Sequence, residues 1–176
     1  MSPRSIFIFL VLLASNSLFA QEISGSYDAL DKLPDWVRRN LDRNSSGIDL
    51  TIEESTNPFY LEADFNGEGK LDIALFVRNN ENKKTGIWFL HGEDRDSHLV
   101  GAGIKIEKLD SFDWMDIWKV YRYKTAEKTI FTKTFDIAGS ETVKLPNIAI
   151  SVSQSEGSPN LIVWDGKEYI WIHTGD

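Results

Sequence analysis

A mainly β domain of antiparallel sheets, arranged as blade-like hairpins or a sandwich with one short N-terminal helix, is the fold class this chain predicts. From Ile48 onward short apolar runs alternate with clusters of Gly, Asn and Asp, the pattern of strands joined by tight turns. Near the end, Asp165-Gly166, a favoured hairpin pair, stands between two such runs. One earlier stretch, Leu33 to Leu41, combines helical spacing with helix-start residues.

The first twenty residues read as a signal peptide, outside the fold. Arg4 supplies the positive end, Ile6 to Ala14 an apolar run well short of the ~20 residues needed to span a bilayer, and Leu18-Phe19-Ala20 a cleavage region before Gln21. The expected domain is therefore 21–176, periplasmic or secreted, with no stable membrane anchor. Residues 21–32 are polar and carry no strong signal. In the helix that follows, Pro34 suits the first position and Asp35 the positive end of the dipole, while Leu33, Trp36, Val37 and Leu41 share one face. Residues 43–47, Arg-Asn-Ser-Ser-Gly, end it.

Strands are expected near 48–53, 58–64, 71–79, 86–91, 98–106, 118–123, 128–135, 147–153, 159–164 and 168–173. Phe112 to Tyr123 also fits a helical face through Trp114, Met115, Trp118 and Tyr121. In the last hairpin a two-residue turn pairs Val163 with Glu168, Ile162 with Tyr169 and Leu161 with Ile170, and a three-residue loop including Lys167 shifts that pairing. Leu161, Val163, Ile170 and Ile172 then take one side, and Ile162, Trp164, Tyr169 and Trp171 the other. Such a hairpin is either buried on both faces or presents an aromatic surface.

The 176 residues fit one domain with a substantial core. With 19 basic against 27 acidic side chains, a formal charge of -8 and no basic run, a nucleic-acid partner is disfavoured, because such binding rests on Lys and Arg neutralising phosphates. Loss of residues 1–20 removes one Arg and no acid, so the mature chain is more acidic still. The absence of Cys excludes disulfides, thiolate metal sites, a Cys nucleophile and a lipid anchor on an N-terminal cysteine. Six Trp, ten Phe and five Tyr either fill the core or offer a face to sugar rings or a partner protein.

The segment Asp64-Phe65-Asn66-Gly67-Glu68-Gly69-Lys70-Leu71-Asp72 sets oxygen donors at every second position. The candidate metal ligands are Asp64, Asn66, Glu68, the Lys70 carbonyl and Asp72, with Gly69 where the chain must turn. Calcium demands such a set of converging hard oxygens. An EF-hand also needs flanking helices and a bidentate Glu where Leu75 stands, so this is not one. The same residues favour a plain hairpin turn without an ion.

This segment resembles the Asp-x-Asn-Gly-Asp-Gly-x-x-Asp motif of FG-GAP and VCBS repeats, which occur in propellers and in many exported bacterial proteins. The resemblance implies a calcium-holding loop between two strands. It occurs once, so it does not imply a whole propeller, and Glu68 stands where the motif has Asp, which lengthens that ligand arm. The ending Leu161 to Lys167 with Trp171-Ile172-His173 is similar to the close of small exported bacterial proteins of unknown role, which implies no activity.

Other constellations are weaker. His91-Gly92-Glu93-Asp94-Arg95-Asp96-Ser97-His98 holds two imidazoles and three acids, yet its spacing matches no zinc signature, and it reads as a solvated loop. His173 joins it only if the fold brings it close. Asp113 and Asp116 serve acid-base chemistry only in a cleft that separates their pKa values. There is no Gly-x-Ser-x-Gly elbow, and Gly101-Ala102-Gly103 lacks the third glycine of a dinucleotide loop. The expected function is an exported, non-catalytic binding or structural module with a structural calcium, presenting aromatic surface to a protein or glycan, with exposure of Trp164, Tyr169 and Trp171 as its mark. The alternatives are a small hydrolase built on Asp113, Asp116 or the His91 to His98 loop, with a pocket joining them, and an inhibitor-type protein with an acidic surface.

Overall fold

A computed structural model describes residues 27–41, 47–92 and 96–175. The expected signal peptide, residues 43–46 and residues 93–95 lie outside the described residues. The elements are α1 (Tyr27–Lys32), α2 (Asp35–Leu41), β1 (Leu50–Ile52), β2 (Tyr60–Ala63), β3 (Asp72–Asn79), β4 (Thr85–His91), β5 (Asp96–Gly101), β6 (Ile117–Tyr121), β7 (Thr125–Phe131), β8 (Ile137–Lys144), β9 (Ala149–Ser153), β10 (Asn160–Trp164) and β11 (Tyr169–His173). The fold is mainly β and its named strand pairs are antiparallel.

Two sheets pack face to face. The first runs β1-β3-β4-β5, with β2 also paired to β3, and the second runs β11-β10-β9-β6. β3 shows why: Asp-Ile-Ala-Leu-Phe-Val is apolar on both faces, as a doubly covered strand must be. Ile73, Leu75 and Val77 pack with Leu33, Val37 and Leu41 of the helical segment, whereas Ala74 and Phe76 pack with Ile150, Val152 and Ile162 of the second sheet. β4 repeats the division, Trp88 and Leu90 to the helices and Ile87 and Phe89 inward. Burying each such side chain contributes roughly 1.5–3 kcal/mol. The outer face of the second sheet, Ala149, Leu161, Val163 and Ile172, is covered by Ala126 and Leu145, where the separate β7–β8 ribbon joins the body.

Several expectations are corrected. Among the described residues there are two short helices, not one: α1 forms within the polar stretch before Leu33 and buries Ala29, too few apolar positions to show a period. α2 begins at Asp35, with the Pro34 carbonyl accepting from Val37 N–H at 2.9 Å. Phe112 to Tyr123 resolves into a turn and then β6. β5 ends at Gly101, where a positive φ of 73° brings the backbone against the Phe112 ring, short of the expected 106. β8 was not expected at all.

The C-terminal hairpin pairs Trp164 with Tyr169, Val163 with Ile170, Ile162 with Trp171 and Leu161 with Ile172, two residues away from the expected register. The Asp165 carboxylate is the cause. Its Oδ1 accepts from Lys167 N–H at 2.8 Å and Glu168 N–H at 2.9 Å, closing a four-residue loop. A slip of two keeps every side chain on its face, so the expected division of faces survives. Both faces are buried: Trp164, Tyr169 and Trp171 belong to the core between the sheets. Among the described residues no helix is long and apolar enough to cross a membrane.

Candidate functional site

The loop after β2, the end of β4 at Gly92, and the β10–β11 turn meet at one place. Asp72 is their hub. It opens β3 opposite Ala63, is fully buried, and accepts from Phe65 N–H at 2.7 Å, Asn66 N–H at 3.2 Å and, through its other oxygen, Gly92 N–H at 2.7 Å. Burial pushes its carboxyl above the usual range, and those three N–H donors oppose the push. Asp64 folds the loop back on itself, accepting from Gly67 N–H at 2.8 Å and Gly69 N–H at 2.9 Å, and Asn66 Oδ1 accepts from Glu68 N–H at 3.1 Å.

Close approach explains two of the glycines. A Cβ on Gly67 would lie 2.3 Å from Asn147 Oδ1, and Asn147 in turn donates to the Trp164 carbonyl at 2.8 Å. A Cβ on Gly92 would lie 2.7 Å from Glu68 Oε1, so the Glu68 side chain is turned toward the end of β4. Both glycines have positive φ, 80° and 44°, a region that disfavours other side chains.

For calcium the chemistry of Asp64, Asn66, Glu68, Lys70 and Asp72 fits, since all supply hard oxygen. Asp64 accepts two N–H groups and Asn66 Oδ1 one, which leaves lone pairs on each, while Asp72 has three of its four taken. The loop acids do not bring three carboxylates within 4.8 Å of one another. The spare capacity is therefore on Asp64, Asn66 and the Glu68 carboxylate.

Beside the loop the β4–β5 hairpin brings together His91, Asp96 and His98, one ligand atom of each within 4.8 Å of the other two. His91 closes β4 opposite Asp96, and His98, two residues along β5, returns to the same face. His91 is buried, its Nε2 lies 2.8 Å from the Tyr169 hydroxyl, and its ring meets Trp164 edge-on at 5.0 Å. Burial, then the neighbouring His98, pushes the His91 imidazole down toward its neutral form, against the pull of Asp96 and Glu68. Burial pushes the Tyr169 hydroxyl up, and Asp72 and Asp96 add to it. β5 thus starts at Asp96, two residues before the expected strand, and the missed signal was the Asp-x-His alternation that pairing sets opposite His91.

The other expected partners stay apart. His173 Nε2 lies 3.3 Å from Glu107 Oε2. Asp113 accepts from Arg78 at 3.3 Å and Asp116 from Ser155 at 3.1 Å, each tied to its own neighbours and neither to the histidines.

A second feature lies on the ribbon. Ile130, Phe131, Phe135 and Ile137 are exposed, Phe135 at 72%. Thr132 shapes the tip: its N–H donates to the Asp136 carbonyl at 2.8 Å, and its carbonyl accepts from Phe135 N–H at 3.0 Å. Phe135 itself holds a φ of 65°, unusual for a bulky residue, with Lys108 Nζ 4.3 Å above its ring. Between this tip and the Glu107 to Leu109 turn runs an open groove of about 580 Å³, apolar within and edged by Lys128, Glu141 and His173. No family model matches this sequence, and no characterised protein or solved structure does either.

Proposed function

We propose that this chain is an exported, non-catalytic binding module that holds a partner protein on the β7–β8 ribbon, with a calcium ion bracing the β2–β3 loop. The observation that carries the reading is Phe135, a ring kept in water at a positive φ on the tip of a ribbon. Strained backbone of this kind costs about 1–3 kcal/mol and persists where function needs it. The groove beside it falls within the roughly 300–1,000 Å³ of ligand sites and has the apolar centre and charged rim of a protein interface. A protein is favoured over a glycan because the exposed rings at the groove, Phe131 and Phe135, have no polar edge, while Trp164, Tyr169 and Trp171 are buried. Export rests on the pattern of residues 1–20, and calcium on the donor set and on the FG-GAP and VCBS resemblance.

A photo-crosslinker placed at position 135, and at exposed Lys119 as control, tests the partner in the envelope of the producing cell. The expected result is one protein adduct of discrete mass at 135, absent at 119 and lost on Phe131→Ser. A saccharide adduct, or equal labelling at both positions, overturns the protein assignment. Thermal unfolding in EDTA and in millimolar calcium tests the loop. A folded-state ligand at a hundred times its dissociation constant adds about 2.7 kcal/mol. Asp64→Ala is the control of choice, since Asp72→Ala removes three hydrogen bonds that the carboxylate accepts from backbone N–H groups, whether or not an ion is present. An unchanged midpoint in the unmutated chain reduces residues 64–72 to a self-closed turn.

A further inference from the structure

The β4–β5 hairpin carries donor groups that neither the calcium loop nor the ribbon uses. Asp96 Oδ2 lies 3.8 Å from His91 Nδ1 and 3.2 Å from His98 Nε2. Around a tetrahedral ion with bonds of about 2.0–2.1 Å, neighbouring ligand atoms stand roughly 3.3–3.4 Å apart, between those two separations. We propose that His91, Asp96 and His98 form a binding site for a divalent transition-metal ion of the zinc class, with a fourth coordination position open to solvent.

Three observations carry this. The ligands are preorganised by strand pairing, because His91 and Asp96 face each other and His98 follows on the same side. The buried ligand is also oriented from behind: with its proton on Nε2, His91 donates to the Tyr169 hydroxyl at 2.8 Å and points the Nδ1 lone pair at Asp96. Metal-bound histidines are characteristically held in this way through the second ring nitrogen. Finally, the site is closed on one side and open on the other, with Trp164 against His91 at 5.0 Å and His98 at 4.5 Å while the Asp96 side chain is 64% exposed. Two imidazoles with one carboxylate suit zinc, cobalt, nickel or copper rather than calcium. The site is thus distinct from the loop in ligands and in preferred ion, and it stands or falls independently of the proposed function.

The test is zinc titration of the untagged chain against a chromophoric chelator in calcium-containing buffer, with cobalt as a spectroscopic probe. The expected result is one zinc per chain and a cobalt d–d spectrum of low-coordinate geometry with nitrogen ligands. His98→Ala and Asp96→Asn, both at solvent-reached positions, abolish the spectrum with folding intact. Tyr169→Phe, which removes only the orienting hydroxyl, weakens binding about tenfold. Asp64→Ala and His173→Ala leave it unchanged. No stoichiometric zinc, binding that survives His98→Ala, or binding lost on His173→Ala overturns the site.

Discussion

The β10–β11 hairpin buries side chains on both of its faces, whereas the β7–β8 ribbon leaves nearly all of its own in water. Both are antiparallel pairs closed by a turn that a side-chain oxygen braces, Asp165 in one and Thr132 in the other. The difference lies in what surrounds them. β10 sits inside the second sheet between β9 and β11, while the ribbon meets the body through Ala126, Thr129, Val143 and Leu145 and, near its tip, through Phe131 beside His173 and Phe135 beneath Lys108. A lone two-stranded ribbon is marginal in water, so this one depends on its anchors to the body. Stability is concentrated in the C-terminal hairpin, and the proposed recognition surface lies on the ribbon.

Trp171→Ala tests the first half of that contrast. The ring is buried against Phe112 and Trp114, and a large core aromatic truncated to Ala costs about 3–5 kcal/mol. Chemical denaturation measures the loss directly. A cost below about 1 kcal/mol, typical of surface sites, would mean that the hairpin is not the core strut described.

Thr129→Val addresses the anchoring of the ribbon. The Thr129 hydroxyl is buried and donates to the Gly175 carbonyl at 2.8 Å, tying β7 to the chain after β11. Removing it costs about 1 kcal/mol. Amide exchange should quicken in β7 and β8 and stay unchanged in β10. Uniform quickening would show that the two regions open as one unit.

Phe135→Gly gives the smallest change in stability and the sharpest separation from function. Glycine accepts the positive φ that strains phenylalanine, and its own entropic cost is about 0.5–1 kcal/mol, so the thermal midpoint holds steady or rises slightly. Crosslinking from position 131 to the partner should fall away. A marked loss of stability would mean that the ring packs rather than binds.

The contrast also marks how far the sequence could be read. Where apolar residues fill both faces, as in β3, β4 and β10, run length alone located the strands to within a residue or two. β8, Ile-Ala-Gly-Ser-Glu-Thr-Val-Lys, buries almost nothing, so no hydrophobic period marks it. Its strand geometry comes from pairing with β7 across the Thr132 turn. The candidate site shows the same limit. Spacing pointed to Asp64 and Asp72, but burial of Asp72 against Gly92 is a long-range contact that no local pattern encodes. The grouping of His91, Asp96 and His98 depended on hairpin register, and their placement beside Tyr169 depended on how the two sheets stack.

The two turns themselves offer the finest test, because one brace titrates and the other does not. Accepting from the Glu168 and Lys167 N–H groups holds the exposed Asp165 carboxyl below its ordinary value of 3.8. The folded state therefore binds this proton less readily than the unfolded chain does. The contribution of the bond to stability is fully present above that ordinary value and disappears as pH falls through the lower, folded one. The Thr132 hydroxyl, accepting from Thr134 and Asp136 N–H, has no ionisation in this range. Acidification should thus shift the Lys167 and Glu168 amide resonances along one titration curve with a midpoint below 3.8. The Thr134 amide, bonded to that hydroxyl, should show no step that follows the Asp165 curve. Carboxyl carbon shifts of Asp165 measure the midpoint directly, and a value at or above the ordinary one would show that the carboxylate does not brace the turn and that another force sets the register of β10 on β11.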